Sequence, residues 1–132
     1  MRVSGTFEVE LKPQGAEDKA EGSTLGRLSI DKHFHGDLEA VSRGQMLSAT
    51  TESPASAGYV ALERVSGTLR GRRGSFVLQH SGTMSSSGTQ MSVAVVPDSG
   101  SGQLVGLSGT MAIRIVEGRH FYDLEFALPD VA

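Results

Sequence analysis

Five side chains able to carry charge or exchange protons fall where strand alternation puts large apolar groups. His80 shares a face with Phe76 and Leu78 in Gly74-Ser75-Phe76-Val77-Leu78-Gln79-His80, because successive side chains of a strand point to opposite sides. Lys32 keeps step with Leu28, Ile30 and Phe34, and Glu63 with Tyr59, Ala61 and Val65. His120 and Tyr122 keep step with Leu124, Phe126 and Leu128. A carboxylate, an ammonium, two imidazoles and a phenol converging in one apolar cavity could move protons. Burial alone would raise the carboxyl of Glu63 toward neutrality. Glu63 and His80 are therefore the candidate catalytic pair, with Lys32, Tyr59, Phe76, His120 and Tyr122 expected around them as ligand contacts. The same set fits a satisfied internal network of ion pairs and hydrogen bonds, which any buried polar groups require.

Other spacings carry less. His33-x-His35, followed by Asp37 and Glu39, puts two imidazoles ~7 Å apart on one face of a strand, a spacing some metal sites use. Leu28, Ile30 and Phe34 claim the interior, so His33 and His35 are expected to face outward and no metal is expected there. Gly100-Ser101-Gly102 with Gly106 departs from phosphate-loop spacing and precedes a strand, not the helix a phosphate cradle needs. Ser75 and Ser81 lie near His80 without a nucleophile elbow. With no cysteine, thiolate chemistry and disulfides are excluded, and no cofactor is expected.

These residues need strands to hold them. The 132 residues fit one domain, 1–132, large enough to bury a sizeable core. Seventeen glycines against four prolines, with abundant Ser, Thr and Val, is the composition of a curved all-β protein. Val3-Ser4-Gly5-Thr6, Val65-Ser66-Gly67-Thr68 and Leu107-Ser108-Gly109-Thr110 repeat one pattern at irregular intervals, a glycine kink used several times. Residues 3–11 alternate cleanly, and Pro13 ends that strand. Gln14 to Thr24 reads as a polar loop in which Ala16–Ala20 could make a helical turn. Strands follow over Leu25–His35, Leu38–Ser42, Gln45–Thr50 and Tyr59–Leu69, with turns at Gly36-Asp37 and Arg43-Gly44. Further strands cover Gly74–Met84, Gln90–Val96, a kinked Leu104–Val116 and, after a tight hairpin at Glu117-Gly118, His120–Leu128. Successive hairpins of this kind favour an antiparallel β-barrel of about eight strands, since closure removes exposed edges.

Pairing follows from the turns. If the hairpin through Arg70–Gly74 centres near Arg72, residues whose numbers sum to about 144 face each other, and Glu63 lies within a diagonal step of His80. Tyr59–Leu69 carries apolar groups on both faces, so one face should meet a partner chain or a loop. A net charge of −3 gives no electrostatic footprint for nucleic acid. No apolar run approaches the ~20 residues of a spanning helix, and the first residues lack a signal-peptide core. A cytoplasmic protein without membrane or nucleic-acid partners is expected.

Gly36-Asp37-Leu38, Ala57-Gly58-Tyr59-Val60, the Gly74–His80 segment, Val96-Pro97-Asp98-Ser99-Gly100, Leu104-Val105-Gly106-Leu107-Ser108-Gly109 and His120-Phe121-Tyr122 together resemble a bacterial family, domain of unknown function 3224. The resemblance spans about Leu25 to Leu128. It implies a small antiparallel barrel that forms homo-oligomers, dimers or higher, similar in fold to plant allene oxide cyclases. It implies no activity, and no catalytic residue of the plant enzymes transfers position by position. Three functions fit: a barrel that binds a small apolar molecule, a cofactor-free isomerase or cyclase working by acid–base chemistry, or a structural or interaction protein with a filled core.

Overall fold

The computed structural model describes residues 1–129. Alternation becomes a sheet of ten strands: β1 (Arg2–Pro13), β2 (Asp18–Ala20), β3 (Ser23–Gly36), β4 (Leu38–Thr51), β5 (Ala57–Leu69), β6 (Arg72–Ser85), β7 (Gly88–Val95), β8 (Ser101–Gly102), β9 (Ser108–Val116) and β10 (Arg119–Ala127). All pairings are antiparallel. β1 bonds to both β10 and β3, which closes a ring of eight strands: β1, β3, β4, β5, β6, β7, β9 and β10. The two shortest strands lie off that ring, β2 along β3 and β8 along β6. The all-β barrel of about eight strands expected from the hairpins is therefore present. No helix among the described residues is long and apolar enough to cross a membrane.

The recurrent Ser-Gly-Thr pattern has one cause. A Cβ placed on Gly5, Gly67 or Gly109 would lie 2.1, 2.3 or 2.2 Å from the carbonyl oxygen of His35, Glu39 or Glu125 on the adjacent strand. Only glycine lets the backbones approach that closely where the sheet coils into a barrel. Gly44 does the same against Leu62, which is why Arg43-Gly44 is a kink inside the continuous β4 and not the turn its residues suggest.

Three other expectations need correction. Ala16–Ala20 makes no helical turn; β2 folds back on the start of β3, pairing Asp18 with Leu25. The strand expected from Leu104 begins at Ser108, because Leu104 N–H and Leu107 N–H close successive turns onto Ser101 O and Leu104 O. Both leucines are buried and plug one end of the barrel. The β5–β6 hairpin turns tightly through Arg70 (φ 48°) and Gly71 (φ 80°), so Leu69 faces Arg72. Two positive-φ residues give the primed turn whose twist matches the strands. Glu63 consequently faces Leu78, not a residue near Ser81, and His80 remains its diagonal neighbour.

The core is asymmetric along the barrel axis. Phe34, Leu38, Val65, Leu69, Phe76, Leu78, Leu104, Leu107, Tyr122, Leu124 and their neighbours fill one half. In the other half Ile30 and Ala61 are still buried, but the last inward-facing positions of four strands are accessible: Leu11 is 44% exposed, Met84 50%, Met91 45% and Ile115 63%. The barrel is thus filled at one end, and at the other, its open half, the apolar rim is exposed.

Candidate functional site

Lys32, Ser42, Glu63 and His80 stand on four neighbouring strands, β3 to β6, at the boundary between the two halves. Register explains the meeting: Lys32 pairs with Ser42 across β3–β4, and Glu63 pairs with Gly44 across β4–β5. Gly44 presents no side chain, so the Lys32 stem reaches across β4 to the carboxylate. Lys32 Nζ donates to Glu63 Oε2 at 2.8 Å, and Ser42 Oγ donates to Oε1 at 2.9 Å. His80 Nε2 lies 2.7 Å from Glu63 Oε2, off the line a hydrogen bond needs, and makes no aligned hydrogen bond. The side chains are almost sealed, with exposures of 7% for Lys32, 0% for Glu63 and 5% for His80. Lys32 Nζ also lies 5.0 Å and 5.7 Å from the ring centres of Phe7 and Phe34, within cation–π reach.

The electrostatics reverse the simple expectation for Glu63. Burial pushes its carboxyl up, but the His80 ring and the Lys32 ammonium outweigh burial and hold it at about 2. Glu63 is therefore an ionised acceptor with both oxygens engaged, not a carboxyl poised near neutrality. A base that weak takes protons poorly at neutral pH.

The other expected contacts separate. Tyr59 lies over Gly82, its cross-strand partner, where a Cβ would approach the Tyr59 ring to 2.5 Å. Burial first, then the Glu63 charge, pushes the Tyr59 hydroxyl up. His120 packs on Phe7 with ring centres 5.1 Å apart, one register step from Lys32. Phe76 and Tyr122 belong to the filled half; Phe76, opposite Val65, is the other diagonal neighbour of Glu63. The Tyr122 hydroxyl accepts Leu38 N–H at 3.2 Å and donates to the carbonyl of His35 at 3.0 Å, with that of Leu38 at 3.2 Å. It pins the β3–β4 turn to β10. Ser42 was missed. Its signal is an inward position after Leu38 and Ala40, hidden in the sequence because Arg43-Gly44 reads as a turn directly after it.

Behind the cluster, on the opposite side of the sheet, β4–β6 carry a groove of about 840 Å³ whose lining includes Arg43, Leu47, Val60, Leu62, Arg64 and Gln79. Val60 and Leu62 are exposed there, so the outward apolar face of β5 is uncovered in the single chain.

The family profile described as "Protein of unknown function (DUF3224)" matches residues 3–126. The chain belongs to that family. Its barrel is similar to the crystal structure of a protein with unknown function from the DUF3224 family of Shewanella oneidensis MR-1, at 50% identity and a TM-score of 0.92. That likeness covers 98% of each chain. No curated protein matches.

Proposed function

We propose that the barrel binds a small apolar molecule in its open half, over the Lys32–Glu63–His80–Ser42 floor. The supporting observation is the exposure of inward-facing Leu11, Met84, Met91 and Ile115, set against an opposite half filled and plugged by leucines. Predominantly apolar walls are the usual lining of a small-molecule site, and the charged cluster, itself buried, closes it from below. The acid–base alternative, suggested by the likeness of such barrels to plant allene oxide cyclases, is less well supported. Glu63 held at about 2 is a poor general base, and both its oxygens are occupied. The filled-core alternative accounts for the sealed half only.

A titration with the neutral apolar fluorophore N-phenyl-1-naphthylamine tests the reading. One saturable site per chain is expected, with affinity falling tenfold or more, ~1.4 kcal/mol, when a charge enters the mouth in Met91→Glu. Leu62→Asp, on the outer face, should leave it unchanged. No saturable site, or loss in Leu62→Asp but not in Met91→Glu, would overturn the proposal.

A further inference from the structure

Outside the barrel, three donors of metal-binding type converge on the face opposite Lys32. His33 and His35 point outward from β3, and their rings stack with centres 4.2 Å apart. Glu39, from the start of β4, reaches both: its Oε2 lies 3.0 Å from His33 Nε2 and 3.5 Å from His35 Nδ1. One donor atom from each of the three residues lies within 4.8 Å of the others. The remaining nitrogen of His35, Nε2, is 2.8 Å from a carboxylate oxygen of Glu8 on β1. Among the described residues, the ion pairs of Glu8 and Glu39 run to these imidazoles and to no lysine or arginine.

We infer that His33, His35 and Glu39 form an exterior site for one divalent transition metal, zinc in the first place. Donors 2.0–2.1 Å from a tetrahedral zinc stand ~3.3 Å apart, and the two nitrogen–oxygen separations bracket that value. Two imidazoles and a carboxylate are a donor set zinc accepts, with the fourth position open to water. Glu8 supplies what a zinc-bound imidazole ordinarily has, a carboxylate on its other ring nitrogen that fixes the tautomer and the ring plane. His35 then ligates through Nδ1 while Nε2–H donates to Glu8. Outward parity, which argues against an interior metal, is what makes the site accessible: all three ligands are partly or largely exposed, and the small rotations needed to close on an ion disturb no core packing. The site rests on the strand geometry alone and is independent of the apolar mouth.

Isothermal titration of the metal-free full chain with zinc chloride, at pH 7.5 and 0.15 M salt, tests the inference. One zinc per chain is expected, with binding abolished in His33→Ala and weakened at least tenfold in Glu39→Gln. Glu8→Gln should weaken binding 10- to 100-fold, as removal of such an outer carboxylate typically does. Asp31→Asn, a carboxylate on the same outward face of β3 but outside the cluster, should leave binding unchanged. Cobalt(II) should give the intense visible absorption of a four-coordinate ion in the wild type and not in His33→Ala. Absence of stoichiometric binding, or binding indifferent to His33→Ala and Glu39→Gln, would overturn the site. Circular dichroism of each variant separates loss of ligand from loss of fold.

Discussion

Replacing Glu63 by glutamine tests the charged floor at its centre. The side chain keeps its shape, and Ser42 can still donate to the amide oxygen, so the change is almost entirely one of charge. In the native protein the carboxyl falls from an ordinary 4.5 to about 2, which corresponds to about 3 kcal/mol of stability. Removing one member of a buried ion pair costs a similar amount, about 3–5 kcal/mol, because Lys32 is left without its counter-charge. For a chain of this length about 3 kcal/mol is roughly 10 °C in Tm. The sign with pH is fixed: a depressed carboxyl stabilises fully above about 4.5, and the contribution is lost as pH falls toward about 2. Urea denaturation of wild type and Glu63→Gln should therefore differ by about 3 kcal/mol at pH 7 and progressively less from pH 4.5 down to pH 2. Lys32→Met combined with Glu63→Gln should recover most of the loss, since no uncompensated charge remains. A wild-type-to-variant gap that is small at pH 7, or that does not shrink in acid, would refute the reasoning.

Two further outcomes follow from other parts of the barrel. Tyr122→Phe leaves the buried Leu38 N–H without its partner and should cost ~1–3 kcal/mol in urea denaturation; a loss below ~0.5 kcal/mol would mean that the hydroxyl does not pin the β3–β4 turn. The uncovered strip Leu47, Val60 and Leu62 should hold a dimer or higher oligomer in sedimentation velocity at tens of micromolar, converted to monomer by Leu62→Asp; a monomeric wild type would remove that assignment.

The barrel was legible because period-two alternation is strong in β1, β3 and β6, where the middle of one face is buried or half-buried. It failed where glycine has two meanings. Gly44 reads as a turn residue beside Arg43, and only the neighbouring strand's carbonyl, invisible in the local sequence, shows that it is a kink. Leu104 looks like a strand residue because it is apolar and precedes a strand, yet its burial comes from plugging the barrel end. The partnership of Glu63 with His80 was readable from one hairpin. Lys32 and Ser42 join them through pairings between β3, β4 and β5, which depend on the register of two more hairpins. Glu63 also shows why burial alone misleads: the direction of its shift is set by the His80 ring and the Lys32 ammonium, both from other strands. Glu39 closing on His33 and His35 depends in the same way on the turn at Gly36-Asp37.

Methyl-resolved NMR of the chain with N-phenyl-1-naphthylamine added would test the binding reading most directly. The methyl signals of Met84, Met91 and Ile115 should shift together and saturate at one probe per chain, while those of Leu47, Val60 and Leu62 stay in place. Shifts confined to Leu47, Val60 and Leu62, or no saturable shift at all, would contradict an apolar site in the open half of the barrel.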